Sequence, residues 1–150
     1  MGGAVLPRWA SDRPEAAVII DTSGSITPAD IDMARAAGTL LARIADVTFY
    51  GCDTRPVCYG KELPERIGGG GGTDLRRGIA MAIRDGARAV VLITDCGTPW
   101  PTEDDMSAAG VPMVVGANMS APMYGPDRTG QVYGEPPVTL TTIIPIRQPE

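Results

Sequence analysis

Several short apolar runs punctuate the chain, and three of them close on an aspartate. Ala16-Ala17-Val18-Ile19-Ile20 ends at Asp21, Val47 to Cys52 ends at Asp53, and Ala89 to Thr94 ends at Asp95. A further run spans Pro112 to Ala117. Runs of this length, flanked by polar or turn-forming residues, predict strands buried on both faces, as in a parallel sheet. The segments between them change to helical spacing. Thr27-Pro28-Ala29-Asp30 has the order of a helix start: a threonine cap, proline in the first position and an acid in the third. The helix that follows places Ala37, Leu40, Leu41 and Ile44 on one apolar face. A second helix is expected from near Thr73, with Leu75, Ile79, Ala82 and Ile83 inward and Gly86 as its stop. Thr102 caps a short third helix, whose first turn carries Glu103, Asp104 and Asp105.

The remaining segments are connections and edges. Pro56 to Tyr59 is expected as a short antiparallel edge strand, and Val138 to Ile146 as a final strand. Residues 60–72 form a loop ending in five glycines, Gly68 to Gly72, and residues 118–136 form a second, Gly/Pro-rich loop. Residues 1–15 read as a leader and 16–150 as one domain. Strands alternating with helices predict an α/β fold: a mostly parallel central sheet with helices on both faces and right-handed connections. The strand order expected for such a Rossmann-like three-layer domain is 3-2-1-4-5-6. Ligands of these sheets bind beyond the carboxyl ends of the strands.

Composition narrows the chemistry. The 150 residues suffice for a single buried core, and 43% of them are hydrophobic despite 19 glycines and 14 prolines. There is no histidine, which excludes Ser-His-Asp and Cys-His catalysis and every imidazole zinc site. The net charge is −5, Lys61 is the only lysine, and the basic residues form no cluster, so nucleic acid is not an expected partner. No apolar run approaches the roughly 18 residues of a membrane span, and the first residues match neither a signal peptide nor a myristoylation site, so a cytoplasmic protein without membrane contact is expected. Cys52, Cys58 and Cys96 are odd in number and lack Cys-x-x-Cys spacing, which predicts reduced thiols, with a Cys52–Cys58 hairpin bridge as the alternative.

Parallel strands put Asp21 and Asp95 on the same sheet edge. Ser23 and Ser25 follow Asp21 at alternate positions, so in an extended segment all three side chains face one point. Thr73, delivered by the glycine loop, can reach that edge. Two carboxylates and three hydroxyls make an all-oxygen set suited to a hard cation, magnesium or manganese. The glycine run is not a phosphate loop, because Asp74 stands where the Walker pattern needs lysine, and no strand directly precedes it. Asp21-Thr22-Ser23-Gly24 departs from an aspartic-protease loop at Ser23, which also breaks the Asp-x-Asp phosphatase pattern.

Asp21-Thr22-Ser23-Gly24-Ser25 with the distant Thr73 and Asp95 resembles the metal-ion-dependent adhesion site of von Willebrand factor A domains. Gly68 to Asp74, Ile93-Thr94-Asp95 and Trp100-Pro101 are similar to a bacterial subgroup, the von Willebrand factor A-like domain at the C-terminus of metallopeptidase-like proteins. The resemblance covers roughly residues 16–117 and the last strand. Cys96 departs from it, standing where many members have glycine. No peptidase-like domain precedes the stretch, so no proteolysis carries over. The resemblance implies a non-enzymatic module in which Asp21, Ser23, Ser25, Thr73 and Asp95 hold Mg2+ or Mn2+. A partner protein's Glu or Asp would complete the coordination, and the partners implied include a MoxR-type AAA+ ATPase. Trp100 and Asp53 lie where they could contact that partner. The rival reading is a metal-dependent hydrolase, in which Asp53, Asp74 or a site aspartate would act as base toward metal-bound water.

Overall fold

The computed structural model describes residues 13–24, 27–118 and 141–146. Six strands form one sheet: β1 (Glu15–Asp21), β2 (Asp46–Cys52), β3 (Pro56–Gly60), β4 (Ala89–Thr94), β5 (Met113–Asn118) and β6 (Thr141–Ile146). Their order is β3-β2-β1-β4-β5-β6, as expected. All neighbouring pairs are parallel except β2 with β3, which is antiparallel. Three helices connect them: α1 (Pro28–Leu41), α2 (Leu75–Arg84) and α3 (Glu103–Ala109). Residues 119–140 lie outside the described residues, and with them most of the loop expected over 118–136.

The period of two along β1 divides the interior into two layers. Ala17 and Ile19 face a core built with Leu75, Ile79 and Ala82 of α2, Met106 of α3, and Leu92 and Val115 of the sheet. Val18 and Ile20 face the opposite core, with Ala34 of α1, Phe49 and Ile93. Helices therefore cover both faces. Ile19, Ile20 and Leu92 are wholly buried, and side chains of this size each contribute about 1.5–3 kcal/mol through burial.

The helix starts follow the sequence. Thr27 caps α1 in a reciprocal box with Asp30, and Thr102 caps α3 in the same way with Asp105. Gly86, at φ 104°, follows α2 and lets the Ala87 N–H return to the Ala82 carbonyl at 2.9 Å. The helix expected from near Thr73 starts at Leu75: its cap is Asp74, whose carboxylate accepts the Arg76 N–H. One expectation fails in part. The buried line of α1 is Asp30, Ala34 and Gly38, whereas Leu40 and Ile44 are 61% and 70% exposed. The reason is steric. The Phe49 ring occupies the space above Gly38, where a Cβ would stand 2.2 Å from its Cζ. The helix thus meets the sheet through Ala34 and Gly38, with Leu41 packed at the margin of that core, while Leu40 and Ile44 of the expected face point out.

All three cysteines are free: Cys52 and Cys96 are buried and Cys58 is exposed. The hairpin register explains the absence of a Cys52–Cys58 bridge, since Cys52 faces Pro56 and Cys58 faces Tyr50.

Candidate metal centre at the carboxyl edge

The parallel register of β1, β2 and β4 brings the ends of the three strands level, with Asp21 beside Cys52 and Ile20 beside Ile93. Asp21, Asp53 and Asp95 therefore stand on one edge, as the sequence indicates. Asp21 is only 4% exposed. Its Oδ1 accepts the Ser23 backbone N–H at 3.0 Å, and its Oδ2 accepts the Thr94 hydroxyl at 2.7 Å. Among the described residues no basic side chain forms an ion pair with it. Burial pushes the Asp21 pKa up, the bonds from Ser23 and Thr94 oppose the rise, and the nearby Asp95 charge adds to it. A buried carboxylate under the influence of a second carboxylate's charge, bonded by hydroxyl and amide donors and by no basic side chain among the described residues, is an arrangement a divalent cation would neutralise.

Ser23 is buried beside Asp21. Asp95 is half-buried, and its Oδ1 accepts the Gly97 N–H at 3.0 Å. The glycine loop docks on the β1 exit. The Gly70 N–H donates to the Thr22 carbonyl at 2.9 Å, and a Cβ on Gly69 would stand 2.1 Å from that same oxygen. Only a backbone without side chain can approach so closely. The Asp74 N–H then donates to the Asp53 carbonyl at 2.7 Å, which holds the half-buried Thr73 near the end of β2. Ser25 lies outside the described residues. Among the described residues no group of three or more His, Cys, Asp or Glu side chains gathers. A cation centre here would rest on two carboxylates and be completed by hydroxyls.

The two partner-contact candidates have defined local roles. Asp53 ties loops together: its Oδ1 accepts the Arg55 N–H at 2.8 Å, and backbone donors from Arg55, Thr54 and Gly71 hold its carboxyl below the usual range. Trp100 is half-buried and packs against the α2–α3 core. Asp74 forms a two-point ion pair with Arg76, at 2.9 Å from both Nε and Nη2, which lowers its pKa.

Two buried threonines carry contacts that local sequence gave no sign of. Thr94 reaches Asp21 across the β1–β4 pair. Thr98, wholly buried, accepts the Leu75 N–H at 2.9 Å and so joins the loop after Asp95 to the first turn of α2. Their partners are 73 and 23 residues away in sequence. The one faint signal is position, since both flank Asp95 on a strand exit. Between them, Cys96 is the only non-glycine at positive φ among the described residues, at 68°. That left-handed backbone is one glycine adopts without strain and a residue with a side chain adopts rarely.

The same architecture occurs in a solved structure. An aerotolerance-related membrane protein from Bacteroides fragilis, crystallised with multiple mutations to serine, is similar over 79% of this chain and 79% of its own, with a TM-score of 0.52 and 18% identity. At that identity the likeness shows the fold. The chain has a von Willebrand factor A-like, Rossmann-type α/β fold. No protein-family model and no curated protein matches the sequence. Among the described residues no helix is long and apolar enough to cross a membrane.

Proposed function

We propose that this chain is a non-enzymatic, cation-dependent protein-docking module. Asp21, Ser23, Ser25, Thr73 and Asp95 would hold Mg2+ or Mn2+, as in the metal-ion-dependent adhesion sites that the sequence resembles. The observation that carries the reading is Asp21: a buried carboxylate, beside Asp95, with hydroxyl and amide donors and no basic partner among the described residues. Serine and threonine ligands are neutral, so the two aspartates at most balance a dication. The bound ion would then accept a further acidic oxygen from a partner protein. By resemblance to the bacterial subgroup, the partner is a cytoplasmic protein of the MoxR-type AAA+ ATPase kind.

The state of the other carboxylates favours docking over hydrolysis. A general base works best with a pKa near the working pH. Asp53 and Asp74 are both held below the usual carboxylate range by their hydrogen bonds, which makes them weak bases; the chain has no histidine, and the remaining candidate, a site aspartate, would be occupied as a ligand of the ion.

The test is binding of the named partner class. A purified MoxR-type ATPase should be retained by the immobilised chain in magnesium and released by chelator, and Asp95→Ala should abolish retention. Equal retention in both buffers would refute the cation dependence. Manganese-dependent phosphoesterase or peptidase turnover that Asp95→Ala abolishes would establish the hydrolase instead.

A further inference from the structure

We propose that Thr94 is a positioning residue for this cation centre: its hydroxyl fixes the orientation of the Asp21 carboxylate. The inference rests on the docking-module reading above and adds a residue that the ligand pattern does not contain. Thr94 is the last residue of β4 and is 4% exposed. Because β1 and β4 are adjacent and parallel, its side chain meets Asp21 across the pair, at 2.7 Å from Oδ2. That length belongs to the charge-assisted O–H···O class, which is stronger than a neutral hydrogen bond.

The direction of this bond is enforced. The Cys96 N–H donates to the same Thr94 oxygen at 3.1 Å. An ionised carboxylate has no proton to give, so the hydroxyl donates its single proton to Asp21 while one of its two acceptor positions takes the Cys96 amide. The left-handed backbone at Cys96 accompanies this return of its N–H toward Thr94. On the other oxygen, the Ser23 N–H holds Oδ1 at 3.0 Å. The carboxylate is therefore gripped at both oxygens. A carboxylate offers about four acceptor positions, so further positions stay available to an ion or its water. Thr94 also immediately precedes Asp95, so the strand end that carries one carboxylate holds the other.

Calorimetric titration of the full chain with Mn2+, after chelator treatment, tests this, alongside melting of each metal-free variant. Thr94→Val keeps the shape and removes the donor, and should weaken Mn2+ binding about 10–100-fold, the usual effect of losing a residue that orients a ligand. Thr94→Ser keeps the hydroxyl and should bind close to wild type. If Thr94→Val melts lower but binds Mn2+ as tightly as wild type, Thr94 is only structural and the proposal is overturned. If wild type itself takes up no Mn2+, the cation reading falls and the proposal with it. Should Thr94→Val not fold, NMR of the wild type with Mg2+ decides. The Thr94 hydroxyl proton should be protected from exchange and correlated with the Asp21 carboxyl carbon; exchange as fast as a surface hydroxyl overturns the assignment.

Discussion

At the residue scale the proposed centre depends on a carboxylate that the fold makes uncomfortable. Asp21 has its pKa raised, chiefly by burial. A raised acid favours folding while protonated, so this contribution is fully present below the unfolded pKa and is lost as pH rises through the folded value. The metal-free protein should accordingly lose stability as pH rises from the ordinary carboxylate range through the raised Asp21 value. A series of melts against pH checks this, and Asp21→Asn should flatten that part of the curve. Mn2+ affinity should rise over the same window, because ion and proton compete for one carboxylate. Cys96 makes a second prediction. At φ 68° a branched side chain is the most strained, so Cys96→Val should cost about 2 kcal/mol more than Cys96→Gly in chemical denaturation. Equal losses would remove the backbone argument.

At the element scale, what was legible in the sequence and what was not have separate causes. The strands that carry Asp21, Asp53 and Asp95 could be read directly, because strands buried on both faces leave unbroken apolar runs. The caps at Thr27 and Thr102 were legible because capping is local chemistry within four residues. The inner face of α1 was not. Leu40 and Ile44 supplied the apolar spacing, but contact with the sheet was decided by Phe49 needing the room above Gly38, 11 residues away. Gly38→Ala should therefore cost about 1–3 kcal/mol through overpacking, whereas Leu40→Lys should change stability by less than about 0.5 kcal/mol. Urea unfolding of the two variants discriminates between the faces, and the reverse ranking would restore the face expected from spacing. Thr94 and Thr98 were invisible for a related reason: their hydrogen bonds cross the sheet and the chain. The glycine loop was legible in role, since Gly69 and Gly70 pack on Thr22, and the helix behind it starts where its spacing indicated, with Asp74 as the cap. Gly69→Ala should push the loop off the Thr22 carbonyl and weaken Mn2+ binding, with the α2 core left intact.

At the scale of the whole molecule, the strand order β3-β2-β1-β4-β5-β6 concentrates acidic groups on one side. Asp21, Asp53 and Asp95 come from three separate stretches of a chain whose net charge is −5. Such an edge attracts cations and repels an acidic partner until an ion is bound, which is the physical basis for expecting docking to depend on metal. It also makes metal uptake a stability effect of the entire domain. At a free Mn2+ concentration about 100 times the dissociation constant, binding to the folded state alone adds about 2.7 kcal/mol. The most direct measurement is titration of the chelator-treated wild-type chain with Mn2+ in a calorimeter, with Asp21→Ala in parallel. A saturable heat corresponding to a single ion per chain in wild type, and lost in Asp21→Ala, is the predicted result. No heat in wild type, or the same isotherm in both, would contradict a cation centre built on Asp21.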